Sequence, residues 1–247
     1  TLAGDTLMNS TAGGDLTFGN SIDGGHALTI AAGTSDVKFE AAVGSATALG
    51  AVTIDSAATL QADGVLKAAS FTQSAGSTLT QFADTVTLSG AFDFTGQALT
   101  FNGSGHTVGG AMGVSNAGVF TTADAADITV TGQFTQVGGG SNRLGGNLTG
   151  TAGLSLASAV VVTGEDAVEL ATGGGVGEDI VLGTDATTDI TGVGQALTLD
   201  AGAGGDITIE GDVGASGAAL GAIIITNADQ VLFDETVTAA SLTQSAA

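Results

Sequence analysis

Apolar residues recur along this chain in a fixed motif: a turn residue, an apolar residue, any residue, an apolar residue, three of any kind, then another apolar residue. The clearest copies are Asp15-Leu16-Thr17-Phe18 with Ile22, Asp36-Val37-Lys38-Phe39 with Val43, Asp127-Ile128-Thr129-Val130 with Phe134, and Asp206-Ile207-Thr208-Ile209 with Val213. Looser copies start at Thr59, Thr85, Gly153, Asp179 and Gln230, and a degenerate one at His106. Alternation at period two marks a strand with one buried face. Each copy therefore predicts one short strand, and the apolar stretches between copies (28–30, 52–54, 99–101, 119–120, 197–199 and 223–225) predict others.

The ten starts run from position 15 to position 230 in nine steps, about 24 per unit. A longer repeat is superimposed. Gly25-His26-Ala27-Leu28-Thr29-Ile30 returns as Gly194-Gln195-Ala196-Leu197-Thr198-Leu199 at an offset of 169, and Ala48-Leu49-Gly50-Ala51 returns as Ala219-Leu220-Gly221-Ala222 at 171. Residues 68–75 return as 239–246, so 25–75 matches 194–246. Asp36 and Asp206 lie seven steps apart, so the long repeat reads as a whole number of short ones.

A unit of two dozen residues cannot bury a core alone and must stack on its neighbours. The expected fold is all-β: a right-handed parallel β-helix (β-solenoid) of about ten coils of roughly 24 residues, continuous over 1–247. Parallel crossovers set the hand, and coils about 4.8 Å apart would make a rod about 50 Å long. Phe18 should stack on Phe39. An antiparallel sandwich also gives short strands between turn signals, but it predicts no uniform unit spacing. Because the chain opens and closes in mid-repeat, it reads as an interior slice of a longer repetitive protein, paired at its edges with further coils or with other copies.

Composition sharpens this picture. There are 42 Gly and no Pro, Cys, Trp or Tyr. Proline is confined to sheet edges and bulges, so its absence suits strands that have neighbours on both sides. With 25 acidic residues against three basic ones the net charge is −22, which repels phosphate backbones and excludes nucleic acid. No apolar run is long enough to span a membrane. Thr1-Leu2-Ala3 carries no signal-peptide pattern, so any export signal is expected upstream.

The strings Ala-Leu-Thr-Leu-Asp-Ala-Gly-Ala-Gly-Gly-Asp-Ile-Thr-Ile (196–209) and Ala-Ser-Leu-Thr-Gln-Ser-Ala (240–246) resemble the filamentous-haemagglutinin-like repeats of giant bacterial exoproteins. The resemblance spans nearly the whole chain and is one of composition. It implies a secreted, cell-surface adhesin or filament that assembles with itself or binds a ligand on a host or neighbouring cell.

Chemistry is sparse. Gly174-Gly175-Val176-Gly177-Glu178-Asp179 fits the glycine-aspartate nonapeptide of calcium-binding β-rolls, and Gly202-Ala203-Gly204-Gly205-Asp206 is close to it. Such sites need tandem nonapeptides, and nothing between the two repeats at nine. Glu178, Asp179, Asp185, Asp189 and Asp206 are the calcium candidates of a β-roll or surface-layer module. Against this stands the reading that Asp15, Asp36, Asp127, Asp179 and Asp206 close Asx-turns before strands. His26 and His106 lie in Gly-rich segments and read as solvated. Lys38, Lys67 and Arg143 are scattered, there is no Gly-x-Ser-x-Gly elbow, and no catalytic residue is assigned, so no enzyme is expected. Thr-x-Thr triplets such as 78–80, 85–87 and 129–131 invite an ice-binding reading, but they show no register from unit to unit. Gln73, Gln136 and Gln244 are candidates for amide ladders.

Overall fold

A computed structural model describes residues 1–10, 13–164, 167–214 and 217–245. These form a right-handed parallel β-solenoid. Twenty-seven strands join in one parallel network, and their pairing sorts them onto three faces.

Face 1 climbs from Thr6 and Leu28 through Val52, Phe71, Phe92, Met112, Phe134, Leu154, Ile180 and Ile207 to Val231. Face 2 climbs from Leu16 through Val37, Leu60, Thr80, Leu99, Phe120, Asn142, Val160, Ile190 and Val213 to Val237. Face 3 climbs from Ile22 through Val43, Leu66, Val86, His106, Ile128, Leu148, Leu170, Leu199 and Ile225 to Gln244. The chain visits the faces in the order 1, 2, 3.

Each face has eleven rungs, one more than the expected ten. Ten steps on face 1 carry the chain from Thr6 to Val231, about 22 per coil. Coils are shortest in the middle, as from Val52 to Phe71, and longest toward the C-terminus, as from Ile180 to Ile207.

Alternation turns every second side chain inward, and the inward ones form a single core from Ile22 to Ala228. Apolar burial at roughly 25 cal/mol per Å² is its main stabiliser. Like stacks on like: Phe18 lies on Phe39 with ring centroids 5.0 Å apart and planes at 22°, as expected, and Phe71–Phe92 and Phe82–Phe101 repeat this at 4.9 and 5.2 Å. Rings stacked one rung apart add about 0.5–1.5 kcal/mol per pair to the burial itself.

The motif starts chosen from sequence do not all lie on one face. Those at 15, 36 and 59 precede face-2 strands, those at 85 and 127 face-3 strands, the one at 106 is itself the first residue of a face-3 strand, and those at 153, 179, 206 and 230 precede face-1 strands. The steps from 59 to 85 and from 127 to 153 are each a coil plus a slip of one face.

The long repeat is real but is not a whole number of coils. From Leu28 on face 1 the chain climbs seven rungs to Ile180, then passes face 2 to reach Leu197 on face 3. One long repeat is therefore seven and two-thirds coils, and its second copy is turned by one face. Local details survive the turn. The ladder irregularity at Ile30/Ala31 recurs at Leu199/Asp200, and the bridges Ile22–Val43–Leu66 recur as Ile190–Val213–Val237. Gly44 at φ 74° and Gly214 at φ 73° sit under the carbonyls of Lys67 and Thr238, where a Cβ would collide. Only glycine fits both the left-handed backbone and the close approach. Ala246, the last residue of the matched segment, lies outside the described residues.

Candidate functional site

The turn aspartates crowd the corners, and their bonds differ from the Asx-turn expectation. Asp15 Oδ1 accepts the N–H of Asp36 (3.0 Å), Asp127 Oδ1 that of Asn147 (2.8 Å), Asp179 Oδ1 that of Asp206 (2.9 Å) and Asp206 Oδ1 that of Gln230 (3.1 Å). Each bond reaches the next coil instead of closing a local turn. In a parallel stack the backbone N–H groups lie along the solenoid axis, so a carboxylate at a corner meets a donor one coil away. Asp23 does the same with Ala46 and Thr47 (2.7 and 3.2 Å), and these bonds hold its carboxyl below the usual carboxylate range.

The five calcium candidates divide between two corners. Glu178, Asp179 and Asp206 precede face-1 strands, whereas Asp185 and Asp189 follow the strand Ile180–Leu182 and lead to face 2. Glu178 Oε2 accepts the Gly175 N–H of its own turn at 2.5 Å. Asp185 Oδ1 accepts the hydroxyl and the N–H of Thr187, which lowers its pKa. Among the described residues no three acidic or histidine side chains are gathered as a metal-ligand set.

The two histidines differ from each other. His26 stays partly exposed, 3.7 Å from Asp5. His106, expected to be solvated, is 1% exposed. It occupies an inward rung between Val86 and Ile128, its ring edge-on to Phe101 at 4.8 Å. Its Nδ1 accepts the Val86 N–H (3.1 Å) and its Nε2 lies 2.9 Å from the Gly103 carbonyl, which fixes the neutral tautomer with the proton on Nε2. Starting the degenerate motif copy at His106 concealed this, because the histidine then stands in the turn place, whereas it is the first inward residue of the strand His106–Val108.

The threonine expectation also changes. Thr80 points inward and donates to Gln73 Oε1 (2.8 Å). Thr87, Thr107, Thr129 and Thr149 stand in one vertical column on face 3, although their triplets are out of register. Gln73 and Gln136 share an inward column of face 1 but are separated by Phe94 and Val114, and Gln244 lies on face 3. No amide ladder joins the three.

Gln136 instead anchors a buried polar cluster at the corner between faces 1 and 2. It donates to Asn116 Oδ1 (2.7 Å), and its Oε1 accepts from Asn142 (3.1 Å) and from the Ser158 N–H (3.3 Å). Asn116 in turn donates to the Gly118 carbonyl (2.8 Å), and the Ser158 hydroxyl to the Gly138 carbonyl (2.8 Å). The signal for this cluster was a polar residue in an inward place of the motif, as in Phe134-Thr135-Gln136. Outside it runs a groove of about 440 Å³, from Gly33 and Thr34 across four further corners to Gly138 and Gly139. A second stretch of about 540 Å³ continues it to Thr188. Its walls are Gly, Ala, Ser and Thr with Gln97, Asn116 and Val119, and they carry no charge.

Lys38 is the one Lys or Arg engaged in ion pairs among the described residues: its Nζ lies 3.3 Å from Asp63 and 3.8 Å from Glu40. Arg143 and Lys67 sit at outward places of faces 2 and 3.

No family model, curated protein or solved structure matches the chain.

Proposed function

We propose that the chain is a structural or adhesive extracellular protein: a rigid solenoid stalk or filament segment, exported by a bacterium, that coats a cell surface or holds cells together, and that it is not an enzyme. The observation that carries this reading is unbroken parallel stacking on all three faces over eleven rungs. Ten spacings of about 4.8 Å give a spacer about 48 Å long, and a stack in which each coil holds the next resists bending along its whole length.

The side-chain inventory agrees with a scaffold. Buried polar side chains such as His106, Gln136 and Ser158 bond from coil to coil, Thr80 and Asn142 bond within theirs, and several corner carboxylates accept backbone N–H groups of the next coil. The uncharged groove gives neutral partners an approach to a molecule of charge −22. The resemblance to filamentous-haemagglutinin-like repeats supports export and adhesion, with further coils, other copies or a ligand on an opposing cell as partners.

Display of the chain through an unrelated anchor on a non-adhesive bacterium tests this. Faster settling of the culture and greater retention on cultured host cells are expected. Settling and retention equal to those of bacteria displaying an unrelated protein of the same size would contradict it.

A further inference from the structure

A buried amide without a full set of partners lies at the floor of the groove between faces 1 and 2. Gln73 is 2% exposed and ends the strand Leu66–Gln73 at that corner. Its Oε1 accepts the Thr80 hydroxyl at 2.8 Å, but its Nε2 has no hydrogen-bond partner among the described residues. That Nε2 lies against Gly76, where a Cβ would collide with it, and Gly76 lines the groove. Gly76 contributes no side chain, so backbone alone divides the amide from the groove there. An unpaired buried donor is costly, and an acceptor brought to this floor relieves the cost.

The groove walls indicate what kind of molecule brings that acceptor. Thr34, Ser56, Ser77, Thr95 and Ser115 supply one hydroxyl on each of five successive coils, and Gln97 adds an amide. Thr95 and Ser115 are paired one directly above the other. Six corners at a spacing of about 4.8 Å give a floor about 24 Å long. The backbone of this floor is already engaged: the N–H groups of Gln97 and Ala117 bond to the carbonyls of Gly76 and Gly96, each at 3.0 Å. An extended peptide adds to a sheet through free main-chain groups, and finds none at these positions. Walls without charge offer a charged chain no counter-ion, and the net charge of −22 repels an anionic one. Hydroxyls and amides spaced along a line match a long neutral molecule that is itself covered in hydroxyls.

We propose that this groove binds a neutral polysaccharide chain laid along the solenoid axis, with Gln73 Nε2 donating to one of its oxygens at Gly76 and the wall hydroxyls bonding to its hydroxyls coil by coil. The proposal rests on the adhesive reading and names the chemistry of the ligand. The walls hold no aromatic ring on which a sugar could stack. Contact is therefore by hydrogen bonds, each of modest net worth, and affinity grows with the number of coils that the chain spans.

The test is titration calorimetry of the whole chain with neutral hexasaccharides of glucose, mannose, galactose and N-acetylglucosamine. At least one should bind, and the disaccharide of the same sugar should bind at least about tenfold more weakly. Thr95→Leu with Ser115→Leu, two changes on the outer wall, should weaken the hexasaccharide by at least about tenfold. Gln73→Met, which keeps the length of the side chain and has no donor, should weaken it too; if that variant fails to fold, the wall pair decides alone. An uncharged peptide of alternating Ser and Gly of similar length should not bind. Failure of all four sugars, equal binding of the peptide, or a wall pair that binds like the unaltered chain would each overturn the proposal. Faster settling of bacteria that display the chain, with no sugar bound by the purified chain, would overturn this inference and leave the adhesive reading standing.

Discussion

His106 shows how one residue makes a coil sensitive to pH. Burial pushes its imidazole below the ordinary value of 6.5, against the opposing pull of the Gly103 carbonyl and of Asp84 and Asp127. Protonation of Nδ1 would break its bond with the Val86 N–H. The unfolded chain protonates this histidine near pH 6.5 while the folded chain holds it neutral, so the unfolded state binds more protons below that pH. Stability is expected to fall as pH drops below about 6.5 and to level off once the folded histidine also titrates. His106→Leu should flatten the pH dependence of the unfolding free energy between pH 7 and 5, measured by denaturant titration. At pH 7 it should cost about 1–3 kcal/mol, because the Val86 N–H loses its acceptor. An unchanged pH slope would show that the histidine takes up its proton alike in the folded and unfolded chains, and would contradict this account.

At the level of strands and corners, much was legible because a strand announces itself by alternation. Leu16-Thr17-Phe18 and Ile207-Thr208-Ile209 are inward, outward, inward in both sequence and structure. Which face a strand belongs to was not legible. All three faces use the same pattern, so a frame begun before Leu16 slid unnoticed to face 3 at Thr85 and to face 1 at Gly153. The polar corner was hidden for a related reason: Gln136 and Asn142 are neighbours only because the turn at 138–140 folds one strand against the next. The acid sites were half legible, since the carboxylates are plain in sequence and their partners, one coil away, are not. The corner cluster makes its own prediction. Gln136→Leu strips partners from Asn116, Asn142 and the Ser158 N–H, at about 1–3 kcal/mol for each group left unsatisfied. Adding Asn142→Leu should cost less than the two single changes summed, by roughly 0.5–3 kcal/mol in a double-mutant cycle. Strict additivity would mean that the two amides do not act together.

For the molecule as a whole, charge and twist decide how copies meet. A net charge of −22 opposes close approach, and the opposition is screened beyond about 10 Å at 0.1 M salt and about 3 Å at 1 M. Self-association should accordingly strengthen between 20 mM and 500 mM sodium chloride, read as a rise in weight-average mass by sedimentation. A fall would show that attraction between opposite charges holds copies together. The long repeat adds direction: because its second copy is turned by one face, chemically equivalent strands look out on different sides of the rod, and a contact made by both copies cannot lie along one straight edge.

All of this rests on coils stacked in register, and the cysteine-free chain allows a clean probe of it. Thr107 and Thr129 are a full coil apart in sequence but paired on face 3, both pointing outward. Nitroxide labels on cysteines at these two positions should broaden one another's electron paramagnetic resonance spectrum strongly, as expected of labels on adjacent strands about 4.8 Å apart. A spectrum equal to the sum of the two singly labelled proteins would contradict the solenoid.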